Sequence, residues 1–151
     1  MKRWALTDWL ALLLSLAAIG AALAVAGGVF ENLAHLEDEM AYVWQAQVIA
    51  RGDLALQTPP CPRCFLVPFV VDYEGLRFGK YPLGWPALLA VGIRLGGRGL
   101  VNPLLAGLGV WLTYLLGRRL TDGKTALLGA GLLVSSPFFL KIGRASCRER
   151  V

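Results

Sequence analysis

The composition of the chain excludes an ordinary water-soluble domain. Of its 151 residues, 56% are hydrophobic and 17% are charged, whereas soluble domains carry about 25% charged residues. The net charge of +5 does not indicate nucleic-acid binding, because the basic residues are scattered through apolar sequence and form no basic face with aromatics. We therefore expect an all-α polytopic membrane protein with about three to four transmembrane helices. An outer loop should carry a juxtamembrane amphipathic helix.

The first apolar segment covers about residues 9–30 and contains no charged residue. Its length matches the roughly 20 apolar residues that a helix needs to cross a bilayer. Basic residues at 2–3 precede it, and Trp4 and Trp9 lie where an interfacial aromatic belt is expected. The positive-inside rule then predicts a cytoplasmic N-terminus and an outer loop at 31–81. The alternative is a cleaved signal peptide, but its apolar region would be shorter, at about 7–15 residues.

The beginning of the outer loop has the pattern of an amphipathic helix. Asp38 can cap a helix that runs to about Ala50, and Arg51-Gly52 is a suitable stop. Such a helix, attached to a spanning segment, would lie along the membrane surface. Helical spacing puts Met40, Val43, Trp44 and Val48 on one side, and Asp38, Tyr42 and Gln45 on another.

The remainder of the loop is not helical by its sequence. Prolines at 59–62 exclude a regular helix, alternation over 65–73 favours a short extended piece, and 72–75 is typical of a turn. Cys61 and Cys64 lie on the outside by this topology, where a disulfide persists. A free cysteine pair and a redox or metal role remain alternatives, since one CxxC is at most half a zinc site.

Three shorter apolar segments follow, at about 82–97, 100–117 and 125–140. Each is slightly short for a straight crossing. If the first of them runs inward and the second outward, then Arg118, Arg119 and Lys124 lie outside, against the positive-inside rule. One segment is therefore re-entrant or tilted, and the topology after residue 97 stays open.

The last ten residues, IGRASCRERV at 142–151, abruptly end an apolar run. They resemble a sequencing adapter translated in one frame, and such a tail is excluded from fold reasoning. We expect residues 1–141 to be the N-terminal part of a transmembrane domain from a longer protein. A genuine basic cytoplasmic tail is the alternative.

Several short motifs occur in a characteristic order after the first apolar segment. They are HLEDEMAY (35–42), QAQVIARG (45–52), FGKYPLGWP (78–86), VNPLL (101–105) and SSPFF (135–139). Together they resemble the N-terminal third of a GT-C membrane glycosyltransferase, of the protein-mannosyltransferase and aminoarabinose-transferase kind (glycosyltransferase family 39). The resemblance covers essentially all of residues 10–140 and depends on order and spacing more than on a single motif.

The resemblance implies transfer of a sugar from a polyprenyl-phosphate donor at the outer face of a bacterial-type inner membrane. Asp38 matches the family carboxylate that serves as general base or metal ligand, and Glu39 matches its neighbour. Lys80 matches the lysine near the donor phosphate, while Tyr81 and Trp85 would line the lipid path. The acceptor would be a lipid, glycan or protein; a divalent metal is an open cofactor, and nucleic acid is not a partner.

Each role has a simpler alternative. Asp38 can be only a helix cap, Glu39 only a solvated charge, and Lys80 a snorkelling interfacial lysine. Tyr81 and Trp85 can be belt residues. For the whole chain, the alternative is a non-catalytic polytopic membrane protein, such as a transporter or an assembly subunit. As a truncated chain, we expect the transferase to be inactive, because a GT-C site also uses later segments.

Overall fold

The computed structural model describes residues 4–28, 36–136 and 139. Within this part the chain forms two compact units: a helical unit of residues 4–28, 102–136 and 139, and a loop unit of residues 36–101. The predicted foreign tail at 142–151 lies outside the described residues. In chain order the elements are α1 (Leu6–Gly28), α2 (Glu37–Arg51), β1 (Leu56–Gln57), β2 (Val70–Tyr73), β3 (Leu76–Gly79), α3 (Gly84–Arg94), α4 (Val101–Leu120) and α5 (Gly123–Ser135).

The first helix packs through small side chains and presents large ones outward. Leucine and alanine favour the helical conformation throughout its 23 residues. Leu13 and Leu16 remain 60% and 55% exposed. This distribution is the reverse of a soluble core and is typical of helices that pack among lipids. The buried side of the helix is a stripe of small residues at helical spacing: Ala11, Ser15, Ala18, Ala22 and Ala26.

Close contacts show that α1 and α4 run antiparallel. The Ser15 hydroxyl donates to the Gly107 carbonyl. A Cβ on Gly107 would lie only 2.5 Å from the Ile19 side chain, so glycine permits this approach. Nearer the start of α1, the Tyr114 hydroxyl donates to Asp8 Oδ1 at 2.6 Å.

A cluster of charged and polar groups therefore joins the N-terminal end of α1 to the C-terminal end of α4. Asp8 is 4% exposed and forms an ion pair with Arg118. Tyr114 is fully buried. We call Asp8, Tyr114 and Arg118 the buried cluster. The segment predicted at 9–30 left Asp8 outside the helix, but α1 begins at Leu6 and contains it.

The third helix of this unit begins at the same end. The Asp122 carboxylate caps α5 by accepting from the Lys124 and Thr125 amides at 2.9 and 3.3 Å. The Thr125 hydroxyl, which also donates to this carboxylate at 2.7 Å, and the two amides lower the pKa of Asp122. The start of α5 lies near the start of α1, because a Cβ on Gly123 would be 2.8 Å from Thr7 Oγ1. Lys124 and the end of α4 are thus beside the start of α1.

The loop unit contains a sheet that an all-α fold does not include. The three strands are antiparallel in the order β1-β3-β2. The turn expected at 72–75 is confirmed: Glu74 and Gly75 connect β2 to β3 with φ of +50° and +77°, as in a type I′ hairpin turn. The fold is mostly helical, but the all-α prediction is wrong for this segment. A short stretch of alternating apolar and polar residues forms a stable strand only when another strand lies close enough to pair with it.

The helix predicted from Asp38 to about Ala50 is present as α2, with one correction at its beginning. Its predicted sides are not reproduced, because Gln45 is 1% exposed and Met40 is 47% exposed. The helix ends at Arg51, where Gly52 adopts a left-handed φ of +104° and stops the helix as expected. Asp38 is not the cap, since the helix begins at Glu37 and Leu36 is the cap residue, without a side-chain hydrogen bond. The Asp38 carboxylate instead contacts another part of the loop unit.

Two of the described helices, α1 and the segment Arg98–Leu120 that contains α4, are long and apolar enough to cross a membrane. The segment predicted at 82–97 contains the 11-residue helix α3, about 16 Å long, which is too short for about 30 Å of hydrocarbon. The segment predicted at 125–140 contains the 13-residue α5, and its last residues are largely outside the described part.

Candidate functional site

The loop unit brings Asp38 and Tyr81 together although 43 residues separate them in the chain. Asp38 is exposed in the first turn of α2, and Tyr81 is half-buried directly after β3. The Tyr81 hydroxyl donates a hydrogen bond to Asp38 Oδ1. Two residues that the family resemblance selected separately thus form one site.

Lys80 belongs to the same site through aromatic contacts. Its Nζ lies 4.1 Å from the centroid of the Phe69 ring and 5.3 Å from that of Tyr81. Both distances allow cation–π attraction. The Tyr42 ring packs on Tyr81 with centroids 4.8 Å apart. We call Asp38, Tyr42, Phe69, Lys80 and Tyr81 the open cluster.

A buried glutamine positions the two chain segments that carry this cluster. Gln45 is 1% exposed on α2. Its Oε1 accepts from the Gly79 amide at 2.7 Å, and its Nε2 donates to the Leu54 carbonyl at 2.8 Å. A Cβ on Gly79 would be 3.2 Å from Gln45 Oε1, so glycine admits the close contact. The end of β3, followed at once by Lys80 and Tyr81, is therefore fixed against α2.

Phe69, directly before β2, completes the cluster. The Lys80 amide donates to the Phe69 carbonyl at 3.0 Å. Phe69 has a φ of +57°, a left-handed conformation that costs a bulky residue about 1–3 kcal/mol. Residues in this region occur preferentially at functional sites. The backbone of Phe69 thus places its ring under the Lys80 ammonium.

The electrostatics of the site keep the Tyr81 phenol protonated. Its hydrogen bond to the Asp38 carboxylate, partial burial and the Asp38 charge raise the pKa of Tyr81 to about 12. At neutral pH Tyr81 is therefore a donor that orients Asp38. The second Asp38 oxygen and the exposed Lys80 ammonium provide a hydrogen-bond acceptor and a cation beside an aromatic surface. This combination suits a ligand with both a hydroxyl and an anionic group.

The other predicted site residues have different surroundings. Glu39 follows Asp38 and is half-buried, but adjacent helical residues are about 100° apart, so the two carboxylates face different directions. Trp85 is half-buried in α3 and packs against the core residues Ala46, Leu89 and Ala90. Of the two residues expected on a lipid path, Tyr81 lies in the open cluster and Trp85 lies against this core.

Cys61 and Cys64 form a disulfide, with Cα atoms 5.4 Å apart. Nearby, the Arg77 guanidinium holds the backbone of the same segment. It donates to the Phe65 carbonyl at 3.0 Å and the Pro62 carbonyl at 3.1 Å. Its 2.8 Å ion pair with Asp72 lowers the pKa of that carboxyl. The disulfide segment is thus rigidly tied to the sheet.

Sequence reasoning missed three residues of this site. Tyr42 was placed on the same helical side as Asp38 and Gln45, and that spacing was the available signal for a shared role. Gln45 itself carried no sign of burial in its sequence context. Phe69 had no local signal, because nothing in its neighbouring residues indicates the left-handed φ that it adopts in the turn before β2. Contacts over 34 residues, as between Gln45 and Gly79, are decided by packing.

A divalent metal at Asp38 requires additional ligands. Within the described ranges, no three His, Cys, Asp or Glu side chains come together as a metal-binding group. The described residues do not by themselves build a metal site, so no step of the proposed reaction uses a metal ion.

No protein-family model matches the chain, and no curated protein or solved structure matches it either.

Proposed function

We propose that this chain belongs to a polytopic membrane glycosyltransferase of the GT-C class. It would transfer a sugar from a polyprenyl-phosphate donor to an acceptor at the outer membrane face. The observation that carries the proposal is the open cluster. It joins a carboxylate and an ammonium group through Tyr81, although the two come from segments of the loop unit that are far apart in sequence.

The two charges suit the two halves of a glycosyl transfer. Asp38 would take the proton of the acceptor hydroxyl as its oxygen attacks the anomeric carbon of the donor. The bond between that carbon and the phosphate oxygen would break, and its electron pair would leave with the polyprenyl phosphate. Lys80 would offset the charge of this leaving group. Tyr81 would hold Asp38 in place and stay protonated.

The helical unit supports a membrane location with a cytoplasmic N-terminus. The end of α4, with Arg118 and Arg119, lies beside the start of α1 through the buried cluster. Lys124 is at the same end. If α3 does not cross, α4 returns inward and these cations satisfy the positive-inside rule. This arrangement would remove the topological conflict in the sequence.

Aromatic residues support the same assignment. The Trp4 ring lies 5.1 Å from Trp9 and 6.0 Å from Trp111, measured between centroids. Tryptophans gathered at one end of apolar helices are typical of a membrane interface. In the proposed topology the loop unit, which contains α3 and follows α1 and precedes α4 in the chain, then lies outside.

The test uses the protein expressed from the complete gene, resequenced across codons 140–151. Asp38→Asn should lower transfer by roughly 10²–10⁴-fold, the range for loss of a general base, while membrane insertion stays intact. Lys80→Ala should weaken donor use and raise the donor concentration needed for half-maximal transfer, and Lys124→Ala, in the first turn of α5, is the matched control. Unchanged transfer in Asp38→Asn removes Asp38 from the mechanism.

The buried cluster favours a second candidate, a non-catalytic membrane protein such as a transporter. A carboxylate inside a spanning helix often marks an ion path, and Asp8 is buried within α1. Yet Asp8 lies in the first helical turn and is paired with Arg118 and Tyr114, as a helix clamp would be. Proton-coupled flux in vesicles that disappears in Asp8→Asn but persists in Asp38→Asn would support the transporter instead.

A further inference from the structure

An exposed apolar tip projects from the loop unit next to its disulfide. We call residues 61–66 the disulfide loop. Phe65 and Leu66 in this loop are 60% and 79% exposed. Large side chains so exposed in adjacent positions are commonly contact surfaces for a partner or a membrane.

The protein holds this tip in a fixed conformation. The Cys61–Cys64 disulfide closes the loop on one side. Arg77, with a side chain only 8% exposed, donates to the Pro62 and Phe65 carbonyls of the loop. Arg77 is itself held by its ion pair with Asp72. A buried cation is used here to order backbone whose apolar side chains face outward. Preorganisation of this kind lowers the entropic cost of docking.

The apolar surface continues from the tip into a groove of about 490 Å³. Phe65 and Leu66 line this groove together with Trp44 and Leu56. Tryptophan and phenylalanine are residues that favour the boundary between headgroups and acyl chains. The tip and groove together thus provide a surface with the composition of an interfacial anchor.

Both ends of the loop unit lead into helices of membrane-spanning length. Gly28 ends α1 shortly before α2 begins, and Leu100 is followed directly by α4. A bilayer that contains these helices is always within reach of the loop unit, so even a small apolar tip meets it at high effective concentration. Exposed Arg63, inside the disulfide loop, complements anionic headgroups.

We propose that the disulfide loop is a membrane anchor, in which Phe65 and Leu66 insert into the outer-leaflet interface and Arg63 contacts lipid phosphates. The anchor rests on the proposed membrane location of the chain. It would hold the loop unit, and with it the open cluster, close to the depth at which a lipid-linked phosphate lies. The other occupants of this surface, a second copy or a soluble protein, are outcomes of the test.

The test places a photoreactive benzophenone amino acid at Leu66 in the full-length protein, reconstituted in phosphatidylglycerol-containing vesicles. Leu54, 64% exposed and next to Asp53, is the matched control position. We expect lipid adducts at position 66 well above the level at 54. Phe65→Ser should reduce them toward that level, and Arg63→Gln should remove their dependence on anionic lipid.

Three results overturn the anchor, and the first two leave the glycosyltransferase proposal standing. Adducts at 66 only to a second copy of the chain replace the bilayer with self-association. Absence of lipid adducts at 66 in chains that float with the vesicles removes the anchor and leaves the membrane location intact. Chains that do not float with the vesicles overturn both the anchor and the membrane function.

Discussion

The helical unit and the loop unit each hold a carboxylate, a tyrosine and a cation in contact. In the buried cluster, Asp8 accepts from Tyr114 and pairs with Arg118. In the open cluster, Asp38 accepts from Tyr81, whose ring also faces the Lys80 ammonium. The chemical groups are nearly the same, but Asp8 is 4% exposed whereas Asp38 is exposed.

This difference separates a structural role from a chemical one. The buried Asp8 carboxylate depends on both of its partners. Removing either partner would leave a polar group without a hydrogen bond in an apolar surrounding, which lowers the stability of the fold. Asp38 and Lys80 can exchange their partners for water or a ligand at little cost. Arginine in one cluster and lysine in the other fit this division, because a guanidinium suits fixed ion pairs and an ammonium suits mobile phosphate contacts.

The largest expected difference concerns the two aspartates. Asp8→Ala should lower the free energy of unfolding by about 3 kcal/mol, because it leaves the buried Tyr114 hydroxyl and the Arg118 charge without their acceptor. Asp38→Ala should leave it nearly unchanged, since exposed groups recover hydrogen bonds with water. Unfolding in mixed detergent micelles, followed by circular dichroism, measures both. Equal losses in the two variants would contradict the distinction between the clusters.

The two tyrosines should differ in what their removal affects: Tyr114 chiefly supports stability, and Tyr81 chiefly supports sugar transfer. Tyr114→Phe should cost about 1–2 kcal/mol of stability, the value of a buried hydrogen bond to a charged group. Tyr81→Phe should cost less stability than Tyr114→Phe, because its hydrogen bond lies in an open site, but it should lower transfer roughly tenfold, because it releases one bond that orients Asp38. Tyr73→Phe, at an exposed tyrosine of β2, is the control for both. If Tyr81→Phe transfers sugar at the parent rate, Tyr81 does not position the base.

The smallest expected effect is a pH-dependent one. The pKa of Tyr81 is raised from an ordinary value near 10 to about 12, so the neutral phenol contributes stability that is complete below pH 10 and is lost as pH rises through 12. The ultraviolet difference titration between the parent protein and Tyr81→Phe should show this late-ionising tyrosine. In Asp38→Asn its pKa should fall back toward 10. An unchanged titration there would show that Asp38 does not hold the phenol.

Local sequence patterns predicted those elements that depend on neighbouring residues. The uninterrupted apolar run at 9–30 predicted α1, and Gly52 predicted the end of α2, because a left-handed residue is accessible to glycine. The turn at 72–75 followed from its own residues. Asp38 was misjudged as the cap because the helix begins one residue before it, at Glu37, and its carboxylate accepts from the distant Tyr81 hydroxyl instead.

By itself, the sequence determined that this protein is apolar, mostly helical and provided with helices of spanning length, since hydrophobicity and helix propensity are properties of the residues and their neighbours. Only the tertiary structure decided which polar groups meet. Asp38 reaches Tyr81 because Gln45 fixes β3 against α2, and Asp8 reaches Arg118 because small residues allow α1 and α4 to approach. Such contacts depend on the packing of distant segments, which no local pattern encodes.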